Sequence, residues 1–243
     1  QEHTAVINDL MSRLGLAIDA KKRFIADATH QLRTPITVLR TQAELAMRLQ
    51  DHGELRTAVE RFDGATARLV RLANQLLSLS LAEARAQGPR EFEDVDFAAL
   101  AEDAIAELVP LALGKHIEIA VEGSAAPLMV RGHPQFLREM MANLVDNAIR
   151  YSAPGGAVGI AIGREGTRIG FTVVDTGPGI PRSERENVLR PFYRGLGMQG
   201  GGCGLGLTIA SEIAAMHGGE VTIGDARGGG ATVVAWVEAA VRA

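Results

Sequence analysis

The chain has 243 residues, 47% of them hydrophobic, and its 25 basic and 29 acidic residues give a formal net charge of -4. This composition argues against a disordered chain and provides enough apolar residues for the cores of two ordinary domains. The charge balance supplies no global positive field, so we expect no nonspecific binding to nucleic acid or to an anionic membrane. Because Cys203 is the single cysteine, an internal disulfide is excluded and a cytoplasmic, reducing compartment is favoured.

The first third of the chain is predicted to be helical, since only 4 of the 28 glycines precede Pro89. Helical periodicity is present from Ala5 onward without a preceding cap, which indicates a cut inside a longer protein. No apolar run approaches roughly 18 residues, so we expect membrane attachment only through segments missing from this chain. The apolar positions that define one face of the first helix are Phe24, Ala28, Leu32, Ile36 and Leu39.

A second helix is predicted after a break at residues 50–53, because Leu55, Val59 and Phe62 begin a near-heptad pattern that extends to about residue 86. Two helices alone leave half of each apolar stripe exposed to water. We therefore expect two copies of this hairpin to pair into a four-helix bundle, which makes the chain a homodimer.

His30 lies almost opposite the apolar stripe of the first helix, so its imidazole is expected to face water. Thr34 follows one turn later on the same outer face. Pro35 removes one helical hydrogen bond at the carbonyl of Gln31 and predicts a local bend. Position alone also fits an ordinary solvated histidine on a helix surface.

Beyond residue 89 the pattern becomes mixed and predicts one mixed sheet covered by helices. Helices are predicted over 97–113, 134–151 and 205–217. Strands are predicted over 116–121, 128–131, 157–163, 168–175, 220–223 and 231–237.

Several polar and glycine-rich segments of this half suggest a ligand site. Asn143 and Asn147 are four residues apart on one helix face, and amide oxygens suit Mg²⁺. Asp175 ends a strand at a glycine-rich turn, where its carboxylate can accept from an amino group. The glycine-rich run 200–206 opens a helix whose free N–H groups favour phosphate. Each segment by itself fits an ordinary exposed helix or a flexible turn as well.

The order and spacing of these segments resemble a known family. Residues 24–35 (FIADATHQLRTP) resemble the phosphoacceptor box of bacterial sensor histidine kinases, and segments 143–151, 173–180, 190–194 and 200–207 resemble the N, G1, F and G2 boxes of their catalytic domain. The resemblance implies a helical hairpin in a dimeric four-helix bundle, followed by an α/β sandwich ATP-binding domain of the histidine kinase, gyrase and Hsp90 type. The implied divisions are a signal-transfer helix at 1–20, a dimerisation and phosphotransfer hairpin at 21–88 and a catalytic domain at 89–243. Residues 24–45 look most similar to sensor kinases of the tricarboxylate-uptake type.

The resemblance also implies roles for individual residues. His30 would accept the phosphoryl group, with Gln31 where the family usually has an acid and Thr34 supporting dephosphorylation of the partner. Asn147 would coordinate Mg²⁺ with support from Asn143, and Asp175 would read the adenine amino group. The remaining positions implied in nucleotide binding are Arg150, Tyr151, Gly177, Gly179, Phe192, Arg194, Gly202, Gly204, Leu205 and Gly206.

The expected cofactors are ATP and Mg²⁺, and the expected partners are a second copy and the receiver domain of a response regulator. The resemblance places the chain as a cytoplasmic part of an inner-membrane protein. Two alternatives stay open. A hydrolytic ATPase of the same fold is disfavoured because its relatives carry glutamate where this chain has Asn143. A non-catalytic dimeric scaffold that binds nucleotide stays open because Gln31 cannot accept a proton.

Overall fold

The structure is a computed structural model that describes residues 2–48, 51, 53–59, 61–62, 64–66, 69, 73, 92–123, 127–193 and 204–240. The chain divides into two compact units, residues 1–76 and 77–243. Within the described ranges, no helix combines the length and the apolarity that a membrane crossing needs.

The first unit begins with one continuous helix, α1, at Glu2–Ala46. The helix continues through Pro35, so the bend predicted there stays a prediction. Its predicted apolar stripe is only partly covered: Leu32 and Leu39 are half-buried, whereas Ile36 is 52% exposed. A stripe of this kind fits a helix that needs a further partner to complete its core.

A second helical segment begins after Asp51, whose side chain caps its first residues. Asp51 Oδ1 accepts hydrogen bonds from the N–H groups of Gly53 and Glu54 at 2.8 and 2.9 Å, which satisfies donors that a helix start leaves free. Residues 53–59 are helical, as are the described residues among 61–73. The second predicted helix is therefore present as far as these residues extend, and positions 74–86 of the predicted stripe lie outside the described part.

The second unit contains four α-helices, one 3₁₀ turn and seven strands in its described part. The helices are α2 (Phe97–Ala106), α3 (Val109–Gly114), α4 (Pro134–Tyr151) and α5 (Gly206–Met216), with the 3₁₀ turn at Arg182–Glu184. The strands are β1 (Glu93–Asp96), β2 (Glu118–Glu122), β3 (Met129–Gly132), β4 (Ala157–Glu165), β5 (Arg168–Asp175), β6 (Val221–Asp225) and β7 (Ala231–Glu238).

The predicted mixed sheet is present with five strands in the order β2-β4-β5-β7-β6. β2 and β4 run parallel, and the other neighbours are antiparallel. The prediction of a single sheet is wrong, because β3 pairs with β1 in a separate two-stranded sheet. β1 was not predicted, since its four residues are mostly acidic and only Val95 is buried.

The helix predicted over 97–113 is also wrong as one element. The chain turns at Glu107 and Leu108 and starts a new helix, α3, with Pro110 in its first turn. Proline has no N–H to donate to the carbonyl four residues earlier, so one helix cannot continue through this point without losing a bond. The other predicted helices agree with α4 and α5 to within one residue at either end.

α4 lies at the centre of the core of this unit. It packs against α2, α5 and strand β5, and Met140, Met141 and Val145 are completely buried. Because α4 is covered on several sides, its polar residues Asn143 and Asn147 are held in a fixed setting, with Asn143 only 9% exposed.

Candidate functional site

His30 lies on the exposed surface of α1, as the sequence predicted. The Thr34 hydroxyl donates a hydrogen bond to the His30 carbonyl at 3.4 Å, and the side chains of both residues and of Gln31 are exposed. Pro35 stands where an N–H would otherwise bond the Gln31 carbonyl. The imidazole is therefore open to a reagent that approaches from solvent.

The two asparagines of α4 face the first residue of α5. A Cβ atom placed on Gly206 would lie 3.0 Å from Asn147 Nδ2 and 3.4 Å from Asn143 Oδ1. The Asn143 amide is oriented by its Nδ2, which donates to the Glu139 carbonyl at 3.0 Å. Its oxygen is thus presented toward the start of α5, where free N–H groups suit an anion. This pair of amide oxygens fits a magnesium ion, because Mg²⁺ takes one or two protein oxygens and completes its shell with water and phosphate.

Arg150 and Tyr151 form the last turn of α4. The Arg150 guanidinium pairs with Asp146 at 2.6 Å, and both side chains are about a quarter exposed or less. A phosphate contact by Arg150 must therefore compete with this ion pair. Tyr151 is half-buried and precedes the C-cap residue Ser152.

Asp175 ends β5 and is only 8% exposed. Its Oδ1 accepts hydrogen bonds from the N–H groups of Gly177 at 2.8 Å and Ala231 at 3.2 Å. Burial raises the pKa of Asp175 above its ordinary value, and the two backbone hydrogen bonds oppose this shift. With Oδ1 occupied by backbone donors, Oδ2 is the acceptor left for a ligand amino group.

Gly177 and Gly179 bring the backbone after Asp175 into close contact with its surroundings. A Cβ on Gly177 would lie 2.8 Å from both Asp175 Oδ1 and the Tyr151 carbonyl oxygen. Gly179 has a φ of 76° and packs against the Gly230 carbonyl. The loop therefore closes onto α4 on one side and onto the β6–β7 turn on the other.

The β6–β7 turn is a part of this site that the sequence reasoning missed. A Cβ on Gly230 would lie 1.9 Å from the Asp175 carbonyl oxygen, so the turn lies directly over Asp175. The signal that could have found it is the run Gly228-Gly229-Gly230, whose members all have φ near 90° or above. Three such glycines before a strand indicate a backbone that needs left-handed conformations.

The segments with Phe192 and Gly204 are joined by backbone contacts. The Phe192 N–H donates to the Gly204 carbonyl at 2.9 Å, and Phe192 itself has a φ of 62°. Gly204 packs on the Tyr193 carbonyl, and Leu205 is fully buried as the N-cap of α5. Of the predicted nucleotide-site residues, Arg194 and Gly202 lie outside the described residues.

The structure thus brings together the predicted residues on α4, the β5 end and the start of α5. His30, Gln31 and Thr34 belong to the first unit, whereas all predicted nucleotide residues belong to the second.

Comparison with protein families gives two matches, one in the helical part of the chain and one in the second unit. Residues 20–85 match the His Kinase A (phospho-acceptor) domain, and residues 132–241 match the histidine kinase-, DNA gyrase B- and HSP90-like ATPase family. This chain belongs to the sensor histidine kinase family. The predicted resemblance and the predicted fold class are confirmed, and the second unit is an ATP-binding domain by family. The tricarboxylate-uptake subgroup stays a prediction.

Named relatives of this sensor histidine kinase chain agree with that assignment. The sensor protein kinase PmrB of Pseudomonas aeruginosa is 34% identical over 222 residues, which are 90% of this chain and 45% of PmrB. The sensor protein QseC of Salmonella typhimurium is 32% identical over 95% of this chain and 51% of QseC. The chain therefore spans about half the length of the curated relatives it matches.

Solved structures of sensor histidine kinases share the fold. The mycobacterial sensor histidine kinase MprB is 28% identical with a TM-score of 0.55, over 62% of this chain and 99% of that structure. A histidine kinase, ThkA, solved in complex with the response regulator protein TrrA, has a TM-score of 0.70 at 22% identity, over 88% of this chain and 60% of that chain.

Proposed function

We propose that this chain transfers the γ-phosphoryl group of ATP to Nε2 of His30 and then donates it to an aspartate in a response regulator receiver domain. The observation that carries the proposal is the combination of an exposed His30 in a His Kinase A domain with a buried Asp175 in an ATPase domain. The response regulator partner is supported by the family and by the ThkA complex. We infer that the chain is the cytoplasmic part of a membrane-anchored sensor.

We propose the following nucleotide contacts, which the chemistry of the side chains supports. Asp175 Oδ2 accepts from the adenine amino group, while Tyr151 flanks the ring. The N–H groups at the start of α5 and the side chains of Arg150 and Arg194 face the phosphates. The proposed glycine and apolar contacts to the nucleotide are Gly177, Gly179, Phe192, Gly202, Gly204, Leu205 and Gly206.

Asn147 and Asn143 would hold the magnesium ion through their amide oxygens. When bound with ATP, the ion neutralises the charge that develops on the transferring phosphoryl group. Asn143 has no basic carboxylate, so it is a poor activator of water, and this disfavours the hydrolytic ATPase.

The acceptor side has little acid–base chemistry of its own. In the transfer, the lone pair of Nε2 attacks the γ-phosphorus, the bond to the β,γ-bridging oxygen breaks, and ADP leaves. The Gln31 amide carbonyl can accept from Nδ1–H, which keeps the proton away from Nε2, but it cannot take that proton. Catalysis therefore depends mainly on positioning and charge neutralisation.

The decisive experiment is phosphorylation of the complete chain with γ-labelled ATP and Mg²⁺. We expect a label that is lost in acid and stable in alkali in the parent and in a His3→Ala control, and no label in His30→Ala. Gln31→Glu should change the single-turnover rate severalfold, since it adds a proton acceptor. Undiminished label in His30→Ala contradicts the proposal. Release of free phosphate would support the hydrolytic ATPase. Binding of ATP without any labelling of the protein would support the non-catalytic scaffold.

Thr34 is proposed to position water for dephosphorylation of the response regulator, because its hydroxyl lies one turn from the histidine on the exposed face of α1. Thr34→Ala should keep the labelling of His30. It should slow the decay of the phosphorylated regulator about tenfold or more, because the variant loses the hydroxyl that positions the attacking water. Parallel decay assays measure this, with Thr37→Ala, another exposed threonine of α1, as the matched control. An unchanged decay rate excludes the role.

A further inference from the structure

Lys115, in the turn between α3 and β2, donates to three backbone carbonyl oxygens of another element. Its Nζ lies 3.0 Å from the Ile149 oxygen, 2.7 Å from the Arg150 oxygen and 3.0 Å from the Ser152 oxygen. A lysine ammonium has three N–H donors, and here all three are engaged. The group is therefore a fixed part of the structure.

The three oxygens lie at the C-terminus of α4, where a helix carries unsatisfied carbonyls and a partial negative charge. Arg150 is the basic residue in the last turn of α4, but its guanidinium pairs with Asp146. The positive charge that balances this helix end thus comes from Lys115, which is 34 to 37 residues away along the chain.

The backbone around Lys115 is joined to the same region. The Gly155 N–H donates to the Lys115 carbonyl at 3.2 Å, and the Glu118 N–H donates to the Gly156 carbonyl at 3.0 Å. Gly156 in turn packs against Thr176 Oγ1, which bonds the Ala157 backbone N–H at 3.0 Å. The loop after α4 is therefore fixed between Lys115 and the segment that follows Asp175.

A short chain of contacts leads from this helix end to the nucleobase pocket. Lys115 donates to the carbonyl oxygens of Arg150 and Ser152, on either side of Tyr151. The Tyr151 carbonyl oxygen packs against Gly177, since a Cβ placed on Gly177 would lie 2.8 Å from it and 2.8 Å from Asp175 Oδ1. The Gly177 N–H bonds Asp175 Oδ1 at 2.8 Å. A shift of the α4 terminus would therefore move the backbone donor that orients the Asp175 carboxylate.

We propose that Lys115 is a positioning residue for the nucleobase end of the ATP site and acts through the C-terminus of α4. It does not touch the nucleotide itself. This inference rests on the proposed function insofar as the ligand is ATP. Lysine suits the role because one compact ammonium can meet three converging oxygens, whereas the planar guanidinium of arginine directs its donors in a fixed fork.

The test compares Lys115→Met with Arg164→Met in the complete chain. Arg164 is a matched control, because it is a cation of the same domain whose Nε donates to a backbone carbonyl, that of Gly166 at 2.9 Å, in the exposed β4–β5 turn. Without nucleotide, the amide resonance of Gly177 should shift in Lys115→Met and stay in place in Arg164→Met. The dissociation constant of ATP should rise about tenfold, while the labelling rate of His30 at saturating ATP stays within about twofold.

Lys115→Gln provides a second variant if Lys115→Met does not fold. Its side-chain amide still supplies N–H donors, so we expect an intermediate loss of ATP affinity. Parental ATP affinity in either folded variant overturns the proposal, as does a lower rate at saturating ATP with an unchanged KM. If the parent itself does not bind ATP, the proposed function fails, and the Gly177 resonance still tests the positioning role separately.

Discussion

At the level of a single side chain, the proposed role of Asp175 would place two opposing demands on its carboxylate. Its burial disfavours the ionised form, whereas a carboxylate that accepts from an adenine amino group has to be available as an acceptor. The N–H groups of Gly177 and Ala231 offset part of the burial cost by donating to Oδ1. The side chain is therefore oriented before a ligand arrives, at some expense of stability in the free protein.

We expect Asp175→Asn to weaken ATP binding about tenfold to a hundredfold. The asparagine side chain can turn its single oxygen toward the backbone donors. It then presents its NH₂ group to the amino group of adenine, so that two donors face each other. Calorimetric titration of ATP measures the loss, with Asp94→Asn on exposed β1 as the control. Parental affinity in Asp175→Asn would mean that this carboxylate does not read the base.

Asp175→Asn should weaken ATP binding but should make the free protein more stable at neutral pH. Because the folded-state pKa of Asp175 is raised, the folded state binds the proton more tightly than the unfolded state does. This contribution to stability is present at low pH and is lost as pH rises from the ordinary pKa through the raised one. Asparagine cannot ionise, so chemical denaturation of the variant at increasing pH above the ordinary pKa should lack this decline.

Among the secondary-structure elements, the β6–β7 hairpin has a role beyond completing the sheet. Its turn packs over the end of β5, and Arg185 connects the hairpin to the loop after Asp175 by pairing with Asp225 and donating to the Ile180 carbonyl at 3.1 Å. Gly179 contacts the Gly230 carbonyl from the same loop. The surroundings of Asp175 are thus formed by two segments that are distant in sequence.

Two glycines of this hairpin offer a matched pair of substitutions. Both Gly229 and Gly230 have a positive φ, 101° and 90°, but a Cβ on Gly229 meets nothing within 4 Å, whereas one on Gly230 meets the Asp175 carbonyl at 1.9 Å. Gly229→Ala should cost about 1 kcal/mol from backbone strain alone. Gly230→Ala should cost at least about 2 kcal/mol more and also reduce ATP affinity, since the turn must move off Asp175. Chemical denaturation and ATP titration measure both, and equal losses would contradict this packing.

On the scale of the whole molecule, the described residues of the helical unit leave several large apolar side chains exposed. Its small residues Ala58 and Ala65 are buried, at 9% and 1% exposure, whereas Ile36, Val59 and Phe62 remain 41 to 56% exposed. Large apolar side chains that stay exposed on a helix mark a surface that another element covers. This supports the proposed homodimer, in which a second hairpin completes a four-helix bundle.

Val59→Glu should convert this dimer largely into monomer, because a carboxylate would have to be buried in the bundle. Thr57→Glu is the control, since Thr57 lies about 200° away around the same helix and is also exposed. Light scattering coupled to gel filtration gives the masses. ATP affinity should stay unchanged in both variants, as the nucleotide residues lie in the other unit. A monomeric parent, or a dimer that Val59→Glu leaves intact, would contradict the bundle.

The sequence by itself determined most of the local elements and the family. The residues of α4 fit the periodicity of a buried helix so closely that both of its ends agree with the prediction. The outward position of His30 followed from the same kind of argument, because a helix places each side chain by its number along the chain. Glycine-rich segments in a characteristic order then sufficed to predict an ATP site.

Only the tertiary structure decided which distant residues complete that site. The packing of Gly230 and Ala231 over Asp175, the contact of Gly206 with the two asparagines, and the bonds from Lys115 to the end of α4 all join residues far apart in sequence. The separate pairing of β1 with β3 is of the same kind. Periodicity specifies the face of an element that is buried, but strand partners and side-chain contacts depend on how the faces pack together, which no local pattern records.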